Sequence, residues 1–167
     1  MNSAVMARGK PPVVAGDRLI STNRRATFDY ELLSKFEAGL VLIGSEVRSL
    51  RENAADLSDA WVEIDQRGEA WVKGMRIPQM KHAAFAHADV RPRKLLLHRE
   101  QIEKLRGEIE RDGMTVISTR IYFKANHVKL EIAAARGKKQ HDKRHSIRDR
   151  EANREAQAAI RRGRKGD

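Results

Sequence analysis

Asp56, Asp59 and Glu63 are three carboxylates close enough in sequence to hold a divalent cation for phosphodiester cleavage. Their spacing favours a blander reading, a polar turn entering a strand, because alternate strand residues face opposite ways. His141 and His145 stand four apart, which would let one helical face grip a metal, but no third ligand is near and bases surround them. The chain has no Gly-x-Ser-x-Gly, no glycine loop ending in Lys-Ser/Thr and no His-Glu-x-x-His. It also has no cysteine, which excludes disulfides, zinc–thiolate sites and thiol nucleophiles. The expectation is a protein that binds rather than catalyses, with no metal and no cofactor.

Two basic segments carry more information. In Arg91-Pro92-Arg93-Lys94-Leu95-Leu96-Leu97-His98, three bases flank a proline of fixed φ, making a stiff cationic loop anchored by leucines. A solvated charge run before a helix explains it equally well. In Gly137-Lys138-Lys139-Gln140-His141-Asp142-Lys143-Arg144, the glycine frees the backbone, four bases can meet phosphates and an imidazole can stack on a base. The competing reading is a solvated tail.

The charge distribution separates the two readings. Of the net charge of +11, residues 136–167 carry +7, while residues 23–135 hold 19 bases and 17 acids and are nearly neutral. A neutral body with a basic tail predicts a polyanionic partner held through phosphates. The tail lacks the Trp/Phe/Leu face that would suit it to a lipid surface. No apolar run approaches the roughly 20 residues of a bilayer span. Lys10 and Asp17 closely bracket Val13-Val14-Ala15, leaving no signal-type apolar region. The expectation is cytoplasmic, monomeric and without a membrane partner.

These residues need elements to position them. Residues 1–22 read as a disordered leader. Phe28, Tyr30 and Leu32 alternate with Asp29 and Glu31 as a half-buried strand, and residues 39–44 read as a buried strand between glycines. Ser45 is set as the N-cap of a short helix running to Leu50, with Glu46 in its first turn. Trp61, Val62 and Ile64 pair with Ala70, Trp71 and Val72 across Gln66-Arg67-Gly68 as a hairpin, which Pro78 ends. Residues 79–94 read as a mobile surface loop. Ile102, Leu105 and Ile109 predict a helix stopped by Gly113. Ile117, Thr119, Ile121 and Phe123 predict one strand face, and Val128, Leu130, Ile132 and Ala134 the next. From residue 136 onward alanines and charges favour helix but offer no core-facing stripe, so the tail is expected to fold on its partner. The predicted fold class is mainly β: a small antiparallel barrel over residues 23–135, with two or three short helices and a basic tail over residues 136–167.

Six segments in order resemble the SmpB family of SsrA-binding proteins, partners of transfer-messenger RNA in rescuing stalled bacterial ribosomes. They are Asn23-Arg24-Arg25-Ala26, Phe36-Glu37-Ala38-Gly39-Leu40, Gly44 to Arg51, Arg93 to Leu97, Tyr122-Phe123-Lys124 and Gly137 to Arg144. The resemblance implies an oligonucleotide-binding-type barrel that grips the tRNA-like domain of that RNA. It further implies a tail that enters the empty mRNA channel beside the small-subunit decoding centre. By position, the RNA-binding set becomes Asn23, Arg24, Glu37, Arg93, Lys94, Leu96 and Lys129. The ribosome-binding set becomes Gly137, Lys138, Lys139, His141, Asp142, Lys143, Arg144, Arg148 and Arg150.

Overall fold

The computed structural model describes residues 17–81 and 86–163. Alternating side chains pack into seven strands: β1 (Arg18–Thr22), β2 (Tyr30–Leu40), β3 (Trp61–Ile64), β4 (Ala70–Lys73), β5 (Arg93–Leu96), β6 (Thr115–Lys124) and β7 (His127–Gly137). Four helices, α1 (Arg24–Asp29), α2 (Gly44–Glu52), α3 (Arg99–Asp112) and α4 (Gln140–Gly163), complete the order. All strand pairs are antiparallel. The sequence β6–β3–β4–β5–β2–β7 returns to β6 and closes a ring. β7 pairs along the length of β6. On the rest of its pairing β6 takes two partners in turn, β3 at Val116 and Ile117 and β1 at residues 120–123. Closure leaves few strand edges open to another chain.

The interior is filled by Val62, Val72, Leu95, Ile121, Leu130 and Ile132, and closed by Leu50 of α2 and Leu105 of α3. Gly113 caps α3 at φ +61°, the left-handed conformation glycine tolerates. The β3–β4 hairpin and the β6–β7 hairpin form as expected. The latter turns through Ala125 and Asn126 at φ +46° and +65°, which matches the right-handed strand twist.

Several local expectations are corrected. Residues 18–22 are not a disordered leader but a strand. Phe28 and Asp29 belong to α1, because Asn23 caps a helical turn there by accepting the Ala26 N–H at 3.1 Å; the alternation becomes a strand only from Tyr30. Residues 39 and 40 finish β2 rather than opening a second strand. Val41 and Ile43 leave the sheet and lie about half exposed. The cap of α2 is Ile43, not Ser45, and its N–H is accepted by the Glu46 carboxylate at 3.1 Å. A bulge between Ser118 and Arg120 shifts the register of β6. Ile117 therefore joins a small cluster with Ala26 and Ala135, while Ile121 and Phe123 face the main core. The loop expected over residues 79–94 gives its last two residues to β5, and its middle, residues 82–85, lies outside the described residues. The tail is one 24-residue helix, and Ile147 and Ile160 on it stay exposed.

Candidate nucleic-acid interface

Strand register gathers residues that are far apart in sequence onto one outer strip. Gly39 of β2 lies opposite Leu96 of β5 on one side and Lys129 of β7 on the other. Lys129 in turn faces Tyr122 of β6. The missing side chain of Gly39 matters here: a Cβ would sit 3.2 Å from the Leu96 Cβ, so glycine lets Leu96 lie flat across β2. Leu96 is 55% exposed and presents its apolar side chain to solvent. A recess of about 620 Å³ runs along this strip, and Glu37, Lys94, Leu96 and Lys129 all line it. Four of the seven sequence-derived RNA-binding residues are thus neighbours.

Glu37 is held in place rather than swinging freely. It accepts a hydrogen bond from the Tyr122 hydroxyl and two from the Lys124 ammonium, at 3.0 and 3.2 Å. The Tyr122 bond is the main cause holding the Glu37 carboxyl below its ordinary range. Lys124 and the charge of Lys129 add to it, against a partial desolvation cost. Burial, and then the bond to Glu37, pushes the Tyr122 phenol up. A fixed anion beside two ammonium groups can accept from base edges while the ammonium groups take phosphate. Tyr122 went unassigned at the sequence level because its partner lies in a distant strand, and only register reveals the pair.

Two of the expected RNA ligands, Asn23 and Arg93, are buried and bonded within the fold. The Asn23 side chain is buried and fully used, accepting from Ala26 and donating to the carbonyls of Leu57 (2.9 Å) and Ser118 (3.0 Å). Its contribution is to orient α1, which leaves Arg24 exposed. Arg93 is 0% exposed. Its Nε donates to Glu46, itself 0% exposed, at 2.8 Å, and its other nitrogens donate to the carbonyls of Met75, Arg91 and Asp89. Arg91 donates to both oxygens of the same carboxylate. Burial would raise the Glu46 carboxyl, but the bonds from Arg91, the Ile43 N–H and Arg93 outweigh it and hold the group low. The cationic loop is therefore half structural: Arg93 points in and Lys94 points out, where it pairs with Glu69.

The tail is seated on α1. The Lys138 N–H donates to the Asp29 carbonyl (2.9 Å), its ammonium donates to the Thr27 carbonyl (2.8 Å), Lys143 pairs with Asp29 (3.2 Å) and Arg150 lies over the Phe28 ring. Gly137 ends β7 opposite Tyr30, and Lys139, Arg144 and Arg148 are exposed. The side chains of His141 and Asp142 lie outside the described part. Asp56 accepts from the Ser58 N–H, and Glu63 pairs with Lys73. Among the described residues no three carboxylate or imidazole groups converge as a metal site.

With this geometry in hand, comparison with known proteins is informative. The family model described as SmpB protein matches residues 20–162. An SsrA-binding protein of Sorangium cellulosum is 49% identical over 90% of this chain and 93% of its own length. One from Bifidobacterium longum is also 49% identical, over 90% of this chain and 96% of its own. A solved structure described as "tmRNA-SmpB: a journey to the center of the bacterial ribosome" is 34% identical, with a TM-score of 0.61, over 77% of this chain and 94% of that one. With a matched region that runs from within β1 through the barrel strip to nearly the end of α4, the chain belongs to the SmpB family of SsrA-binding proteins.

Proposed function

We propose that this chain binds the tRNA-like domain of transfer-messenger RNA on its barrel strip and delivers it to stalled bacterial ribosomes, with α4 occupying the empty mRNA channel. The observation that carries the first half is the convergence of Glu37, Leu96 and Lys129 on one exposed strip, drawn from three strands. An anion fixed by Tyr122, an apolar side chain presented to solvent and an ammonium group suit a base edge, an unstacked base and a phosphate respectively. The relatives named for SsrA binding, and the solved tmRNA–SmpB structure from the ribosome, support this choice of RNA. The tail reading rests on exposed Lys139, just before α4, and Arg144 and Arg148 along that helix, whose partner would be ribosomal RNA. Such work belongs in the cytoplasm and requires the protein to break no bond. Among the described residues no helix is long and apolar enough to cross a membrane. The test is a binding competition at physiological salt between the tRNA-like domain and a scrambled RNA of equal length. Preference by a factor on the order of 10³ is expected for specific recognition; equal affinity would overturn the reading.

A further inference from the structure

A second recess, of about 480 Å³, adjoins the strip and shares Gly68, Leu97 and Ile102 with it. Its rim carries Arg67 from the β3–β4 turn and Arg99 and Arg106 from α3, with Glu103 as the one carboxylate among its lining residues. The turn is stiff. The Asp65 carboxylate accepts from the N–H groups of Arg67 and Glu69 and from the Trp71 indole, all within 3.1 Å, and Gly68 takes φ +79°. Arg106 ties α3 to that turn through the Asp65 carbonyl at 3.3 Å, using one nitrogen of its guanidinium. Arg99 pairs with Glu103 on a fully solvated surface, a contact of little energy that a phosphate would readily replace.

We propose that this arginine cleft takes the phosphate backbone of the same RNA that lies on the strip, extending the interface beyond the residues of the family motifs onto α3 and the hairpin tip. The inference rests on the strip being an RNA site. Two features choose an RNA backbone as the occupant: three guanidinium groups around a recess with one opposing carboxylate, and the unbroken surface joining it to Leu96 and Lys129. A folded RNA is read largely through shape and phosphates, so contacts that carry no sequence information suit a rigid cationic cleft. Arginine also presents a planar fork that matches phosphate better than lysine does.

The experiment measures affinity for the tRNA-like domain between 50 and 300 mM salt for the full chain and for Arg67→Gln/Arg99→Gln, with and without Arg106→Gln. Arg67 and Arg99 are exposed, so the double variant retains the fold, and thermal unfolding checks this independently of RNA. Each lost contact should lower the salt slope by slightly under one unit and affinity about fivefold near 150 mM. The triple variant should therefore lose about two units or more of slope. Unchanged slope and affinity in folded variants, while Lys129→Ala weakens binding, would overturn the cleft and leave the strip standing. Failure of the unaltered protein to prefer the tRNA-like domain would instead overturn the reading beneath it. A variant that keeps RNA affinity but loses ribosome association would assign the cleft to another ligand and also overturn the proposal.

Discussion

Arg93 and Lys94 are adjacent bases with opposite duties, and the difference is one of strand parity. Leu95 is buried and Leu96 exposed, so parity sends Arg93 to the interior and Lys94 to the surface. Three consecutive leucines hide that parity in the sequence, because any of them could face the core. The inward arginine is tolerated because Glu46 and three carbonyl groups satisfy it. Arg93→Ala should destabilise the fold by about 3 kcal/mol, since a buried carboxylate loses one partner and three carbonyls lose a donor. Urea unfolding measures this, and the folded fraction should keep its RNA affinity. Lys94→Ala should show the reverse, near-normal stability with weaker binding; loss of affinity per folded molecule in Arg93→Ala would show the assignment reversed. The same cluster sets an acid limit. Glu46 is held below its ordinary value of 4.5 in the folded state, so its contribution is present above that pH and is lost as pH falls through the folded value. Stability should fall on acidification below about pH 4.5, and Glu46→Gln, less stable at neutral pH, should flatten that dependence. Motif position singles out Glu37 as a candidate, whereas its clamp by Tyr122 appears only once the strands are in register.

At the scale of elements, periodicity revealed α3, the hairpins and most of β6 and β7, because each buries one regular face. It failed where a single hydrogen bond outweighed the pattern. The Asn23 cap converts an apparent strand into α1, and the bulge near Thr119 divides one apolar face between two clusters. β1 was missed because its short alternation has meaning only once β6 is there to pair with it. The tail offers no apolar stripe; polar contacts hold its start, and Arg150 over the Phe28 ring adds one further along. Lys138 holds the carbonyls of Thr27 and Asp29, and Lys143 then meets the Asp29 carboxylate. Helix propensity of the Ala-, Arg- and Glu-rich remainder carries it onward. Asp29→Ala should therefore loosen α4 from its first turns without disturbing the barrel. Hydrogen exchange should show faster exchange of amides in residues 143–153 and unchanged protection in β6 and β7. Equal exchange throughout would mean that the Lys143 contact does not hold the helix.

For the whole molecule, closure of the ring separates a self-sufficient body from its charged extension. Every residue of the two core clusters lies at or before Ala135. Truncation after Arg136 removes one β2 pairing, at Tyr30, and the α1 contacts of α4, but nothing from the interior. The truncated chain should unfold within a few degrees of the full one, bind the tRNA-like domain and support no tagging on stalled ribosomes. Unfolding of the truncated chain, or normal tagging by it, would show the division to be wrong. The extension carries +7 of the +11 net charge over 32 residues. Its helix alone spans roughly 36 Å at 1.5 Å per residue, a reach suited to a channel vacated by message. Bases distributed along α4 would meet ribosomal phosphates, each contributing slightly under one unit to the salt slope. His141 has different chemistry, a planar ring able to stack on a base. His141→Ala should impair accommodation with little change in slope, whereas Arg148→Ala should lower both. On the proposed placement of α4 an mRNA filling the channel would compete for the same wall, so crosslinking of α4 should be strong on ribosomes with short messages and lost on those with long ones. Equal crosslinking to both would remove the channel from the mechanism while leaving the barrel strip as the RNA site.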